Sequence, residues 1–69
     1  MIKINLTNFI LARARAGLST EEISKKSEVG RVTISRIQNG IVQPNPVTIG
    51  KLARALDIPV EDLIIFEEQ

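Results

Sequence analysis

The chain contains no cysteine and no histidine. Without thiolates or imidazoles there is no disulfide framework, no thiolate nucleophile and no zinc site, since zinc is held by those ligands. The lack of cysteine points to a reducing, cytoplasmic setting, and nothing in the residues asks for a metal or a cofactor. Tyrosine is missing as well, so no nucleophile and base stand at a readable spacing. Glu21 and Glu22 are adjacent on a helix and point in different directions, which makes an enzyme the weakest reading. The aromatics are Phe9 and Phe66 alone, too few for the stacking platform that single-stranded nucleic acid requires. Long apolar runs are absent too. Phe9–Ala12 and Leu63–Phe66 are far short of the ~20 residues that cross a bilayer, and Lys3 precedes an alternating segment rather than the continuous apolar one of a signal peptide.

What remains is a chain of 69 residues, read as a single domain over 1–69 with a small core that hides about 60% of the unfolded surface. Its net charge of +1 conceals an asymmetry: residues 1–56 hold nine Lys or Arg against three Glu, and residues 57–69 hold five acids and no base. A basic body with an acidic end suits a surface that meets phosphate, although solvated charge on an ordinary domain has the same signature.

Ile2, Ile4 and Leu6 alternate with Lys3 and Asn5, the period-two pattern of a strand. Its candidate partner is Leu63–Phe66, giving a short two-stranded ribbon that joins the termini; for so short a segment the alternative is a frayed end. A first helix is expected from an N-cap at Asn5 or Thr7 to Ala16, stopped by Gly17. Leu6, Phe9, Ile10 and Arg13 fall on one side of it, with Phe9 and Ile10 in the core and Leu11 left over.

The second helix, over about 19–27, carries the clearest local signal. Ser19 is the N-cap, Glu22 completes a capping box, and Leu18 with Ile23 form a hydrophobic staple. Lys25 and Lys26 fall in its last turn, where the helix dipole favours cations, a reading that weighs equally with phosphate contact. Glu28, Val29 and Gly30 form a turn with Val29 as its apolar plug. The third helix, over about 30–39, turns Ile34 and Ile37 inward with Thr33 beside them. Arg31, Val32, Ser35, Arg36 and Asn39 then face outward.

Asn45 followed by Pro46 is an N-cap with proline at the first helical position, where its missing donor costs nothing. The fourth helix runs to Leu56 with a buried stripe of Ile49, Leu52, Ala53 and Leu56. Gly50 inside it costs about 1 kcal/mol relative to Ala and is expected to mark a close packing contact. A last helical turn follows from Val60 to about Ile64.

The segments GLSTEEIS, the turn ending VGR, RVTISRIQNG and PNPVTIGKLARALDIPVEDL together resemble the Cro/C1-type, or XRE, helix-turn-helix regulators, from about Phe9 to Leu63. The resemblance implies an all-α, compact five-helix lambda-repressor-like domain, bound to a palindromic operator in double-stranded DNA as a homodimer, with the third helix in the major groove. Position by position, Arg31, Val32 and Arg36 match the base-reading positions. Thr20 stands where the family often has Gln contacting phosphate, and Gly30, Thr33, Ser35 and Asn39 lie on or beside the DNA-contacting edge. There are departures. Glu28 takes a turn position where the family prefers Gly, and a left-handed backbone there costs a residue with a Cβ about 1 kcal/mol or more. Ser24 replaces a common Ala. Gln38 stands where many members place a Glu that pairs with the first-helix Arg, here Arg13, so a hydrogen bond replaces that ion pair.

The residue chemistry agrees. The arginine fork matches guanine O6 and N7, each good bidentate pair contributing about 1–3 kcal/mol of discrimination, and Val32 can cover a thymine methyl. Thr33, Ser35, Asn39 and Gln43 fit phosphate contacts that set register. The function expected is a small transcriptional regulator, in the first place a repressor. The alternative is an antitoxin-type module that grips a partner protein and regulates its own synthesis through the same motif.

Overall fold

The computed structural model describes residues 2–66, and the side chains of residues 2–65. The Phe66 side chain and the acidic Glu67 and Glu68, which entered the sequence reading, lie outside this range. Five helices and two short strands follow in the order β1 (Ile2–Ile4), α1 (Leu6–Ala16), α2 (Thr20–Ser27), α3 (Arg31–Gln38), α4 (Pro46–Leu56), α5 (Val60–Leu63) and β2 (Ile64–Phe66).

Each of the first four helices starts or stops on a residue suited to the task. Asn5 caps α1 by accepting from the Asn8 N–H at 3.1 Å, and Gly17 ends it in the left-handed region at φ 66°. Both halves of the capping box are made at α2: Ser19 Oγ accepts from Glu22 N at 3.1 Å, and Glu22 Oε1 accepts from Ser19 N at 3.0 Å. At α4, Asn45 Oδ1 accepts from Thr48 N at 2.8 Å, with Pro46 in the first turn. Such caps satisfy donors that a helix start leaves without intrahelical partners.

All five helices send side chains into one core. Phe9 from α1, Ile23 from α2, Ile34 and Ile37 from α3, Leu52 from α4 and Leu63 from α5 are fully buried. The α4 stripe of Ile49, Leu52, Ala53 and Leu56 is buried as its spacing requires, and Leu18 packs partly buried at the core that Ile23 enters. The phase of α1 differs from expectation. Ile10 is exposed and Ala12 is buried, so the inward stripe is Phe9, Ala12 and Arg13 at i, i+3 and i+4. The spacing from Leu6 to Ile10 put Ile10 inward, but the phase that buries Phe9 and Ala12 turns Ile10 to solvent. Thr33, expected beside the inward pair, is exposed. Gly50 also departs from expectation: a Cβ built there meets nothing within 4 Å, so no close contact explains that glycine.

The strands pair antiparallel with Ile2 opposite Phe66, Lys3 opposite Ile65 and Ile4 opposite Ile64. The expected ribbon therefore forms but is shorter at both strands: Asn5 caps α1 and Leu6 begins it, so β1 stops at Ile4, and Leu63 completes α5 and fills the core. Two further bonds clamp the start of the chain to α5: Asn5 N donates to Leu63 O and Asn8 Nδ2 donates to Asp62 O, both at 2.8 Å.

Candidate nucleic-acid interface

The joint between α2 and α3 sets the direction of the outward face of α3. Glu28 adopts the left-handed conformation at φ 62° and ψ 23°, and its N–H donates to Ser24 O at 2.9 Å. The turn stays regular despite the Cβ. Val29, 8% exposed, is the apolar plug between the helices. Two serines of α2 satisfy its backbone: the Ser24 hydroxyl donates to Val29 O at 2.6 Å, and Ser27 Oγ accepts from Val29 N at 3.1 Å. Ser24 is thus more than a small residue that lets α3 approach, and Ser27 is buried for the same purpose. Their i, i+3 spacing ahead of the turn was the available signal.

Gly30 caps α3 without a side-chain bond. With Ile34 and Ile37 at 0% exposure, the helical period carries Arg31, Val32, Thr33, Ser35 and Arg36 to the solvent side, and all five are exposed, as are Gly30, Asn39 and Gln43. Val32 is 64% exposed, an aliphatic side chain on an otherwise polar helix face. Ser19, Thr20, Glu21, Arg31, Val32 and Ser35 line one open cleft between the start of α2 and α3, together with Arg13. Gly30, Thr33, Arg36, Asn39 and Gln43 do not line it. Gln43 is engaged elsewhere, its Oε1 accepting from Ile4 N at 3.2 Å.

The charge along α3 is of one sign, with Arg31 and Arg36 and no acid, whereas Glu21 at the start of α2 brings a carboxylate to the cleft. Between Glu28 and Asp57 the sequence has no acidic residue and carries Arg31, Arg36, Lys51 and Arg54. At the far end of α2, Lys25 lies 3.9 Å from Glu21 in an exposed i, i+4 pair, which contributes about 0.3–0.5 kcal/mol at most. Glu22 is the one carboxyl with a clear shift among the described residues. The Ser19 backbone N–H, then the Ser19 hydroxyl, and more weakly Lys26 and Lys25, hold it below its ordinary value.

Arg13 is the residue whose reach the sequence understated. Its Nε donates to Leu18 O at 3.2 Å, Nη2 donates to Thr20 Oγ1 at 2.7 Å, and Nη1 donates to Gln38 Oε1. One guanidinium on α1 thereby holds the segment before α2, the first residue of α2 and the last residue of α3. The bond to Gln38 is the one the family resemblance implied.

A compact five-helix domain with a capped α2, a tight turn and an outward, basic α3 belongs to the class of helix-turn-helix DNA-binding proteins. A family model described as helix-turn-helix matches residues 10–63, and the chain belongs to the Cro/C1-type family of helix-turn-helix transcriptional regulators. An uncharacterized HTH-type transcriptional regulator from Archaeoglobus fulgidus is 37% identical over 57 residues, covering 83% of this chain and 81% of that protein. Another, from Methanocaldococcus jannaschii, is 34% identical over 56 residues, covering 81% and 85%. Among solved structures, the restriction-modification controller protein C.AhdI from Aeromonas hydrophila superposes with a TM-score of 0.78 at 30% identity, covering 83% of this chain and 86% of that one. The chain is therefore a DNA-binding regulator and not an enzyme. No helix of the described residues is long and apolar enough to cross a membrane.

Proposed function

We propose that the chain is a sequence-specific transcriptional repressor that binds a palindromic operator as a homodimer, with α3 in the major groove. Arg31 and Arg36 read guanine edges and Val32 covers a thymine methyl. Thr20, Gly30, Thr33, Ser35 and Asn39 meet the sugar-phosphate backbone and fix the register of α3. Gln43 serves the same edge through its amide nitrogen, its oxygen being held by Ile4. The observation that carries this reading is the division of α3 into a fully buried Ile34 and Ile37 and an exposed Arg31, Val32 and Arg36. The helix gives its apolar side to the core and its base-reading chemistry to an external partner. Repression would act by occupancy, the bound domain excluding other proteins from the operator.

The test is selection of bound sequences from random duplex DNA. A palindrome with half-sites about one helical turn apart, about 34 Å, is the expected result. Recovery of no preferred sequence, or of an asymmetric site bound by a monomer, would overturn the operator and dimer assignments. An antitoxin-type module is favoured by one observation, the exposure of Ile2, Ile10, Leu11 and Ile65. A toxin that co-purifies with the chain at fixed stoichiometry would establish it.

A further inference from the structure

We infer that Arg13 is a positioning residue for DNA binding: its bond to Thr20 aims the Thr20 hydroxyl at a phosphate of the duplex. The inference rests on the reading of α2 and α3 as the DNA-binding unit and adds a residue to it that does not itself face the bases.

A threonine hydroxyl has one O–H to donate and two lone pairs to accept with. Thr20 is the first residue of α2, so no carbonyl one turn earlier in its own helix is available to fix its rotamer. Arg13 Nη2, 2.7 Å from Thr20 Oγ1, supplies the fixing partner from another helix. A guanidinium can only donate. With that lone pair taken, the O–H of Thr20 turns away from Arg13 and is left to donate on the side of the cleft that Thr20 shares with Ser19, Glu21, Arg31, Val32 and Ser35. A hydroxyl that accepts from a cation is also polarised into a better donor. Threonine has a shorter reach than the glutamine often found at this position, and a fixed direction compensates for that reach.

The other two bonds of Arg13 keep this aim in register with α3. Nε holds Leu18 O at 3.2 Å, just before the Ser19 cap, and Nη1 holds Gln38 at the end of α3. The phosphate donor on α2 and the base-reading face of α3 are referred to one planar group on α1. A lysine could not reproduce this, since its ammonium is a single point rather than a fork.

The experiment is a double-mutant cycle read in DNA affinity, with the selected operator duplex and a random-sequence duplex as probes. Thr20→Val is expected to weaken binding to both duplexes about fivefold, the effect of one hydrogen bond, while Thr20→Ser stays near the native affinity. Arg13→Met is expected to cost a similar factor when Thr20 is present and almost nothing in the Thr20→Val background, with the salt dependence of binding unchanged. Two results overturn the inference. If the Arg13→Met and Thr20→Val losses multiply, Arg13 acts independently of Thr20. If the slope of log affinity against log salt falls by about one on removing Arg13, the arginine touches phosphate directly. Should Arg13→Met fail to fold, Arg13→Lys is expected to show the same non-additivity with its charge retained. A native chain that retains neither duplex would overturn the DNA reading itself, before any variant is made.

Discussion

Arg13 Nη1 on α1 donates a hydrogen bond to Gln38 Oε1, the last residue of α3, across 25 positions of sequence. Both side chains are partly buried, so water competes incompletely for the guanidinium. Gln38→Leu is expected to lower the unfolding free energy by about 1 kcal/mol, since it removes a hydrogen bond and leaves a charged donor short of an acceptor. Gln38→Glu restores an ion pair and is expected to match or exceed the native stability by up to ~1 kcal/mol. Urea denaturation of the two variants checks this; equal midpoints for Leu and Glu would sink it.

Glu28 and Asp57 are the described residues other than glycine with positive φ, at 62° and 57°. Asp is among the residues that tolerate this region, whereas a longer Glu side chain has no such advantage. The left-handed conformation costs roughly 1–2 kcal/mol, and replacing Glu28 by Gly forfeits about 0.4–1 kcal/mol through the more flexible unfolded chain. The first effect is larger, so Glu28→Gly is expected to raise stability by about 0.5–1 kcal/mol, with a smaller gain for Asp57→Gly. Thermal unfolding of both variants decides the ranking.

The helix interior of α4 offers a second gain. At Gly50 a Cβ meets nothing within 4 Å, and φ is not in the left-handed region, so Gly50→Ala brings only the propensity difference of about 1 kcal/mol. A stabilised variant with unchanged DNA affinity is expected. A destabilised one would mean that a neighbour needs the missing methyl's space.

The elements that were legible in the sequence are those fixed by several local choices at once. For α2, the Ser19 cap, the Glu22 return bond and the Leu18–Ile23 staple agreed. For α4, Asn45, Pro46 and an unbroken stripe agreed. The outward face of α3 followed from Ile34 and Ile37 alone. Most of what was not legible depended on partners distant in sequence. Ala12 outranks Ile10 in the core because of where neighbouring helices lie, which periodicity within α1 leaves open between two phases. The bonds that Ser24 and Ser27 make with Val29 are local, and only their i, i+3 spacing ahead of the turn hinted at them. The family resemblance supplied the Arg13–Gln38 bond, but the simultaneous hold on Thr20 and Leu18 emerges only once α1 is docked.

Acid should weaken the start of α2. The Ser19 N–H, then the Ser19 hydroxyl, and less strongly Lys26 and Lys25, hold the Glu22 carboxyl below its ordinary value. A carboxyl depressed in the folded state contributes stability above its unfolded value, and that contribution is lost as pH falls through the folded one. Glu22→Gln can still accept from Ser19 N but does not titrate. The native chain is expected to lose melting temperature through the carboxylate range faster than the variant does. Parallel melting curves against pH for the two proteins would show that Glu22 contributes nothing to the acid response.

Arg36 offers the sharpest test of base reading, because it is exposed in the last turn of α3 and makes no part of the core. As a bidentate reader of guanine it contributes about 1–3 kcal/mol of discrimination at one base pair in each half-site. Arg36→Ala is therefore expected to lower affinity for the selected operator, leave binding to random duplex largely intact, and let all four bases pass at a single position of a repeated selection. Lys51, exposed on α4, serves as the control, where Lys51→Ala leaves sequence preference unchanged. A loss shared equally by operator and random DNA would move Arg36 to a phosphate, and base reading would then fall to Arg31 and Val32.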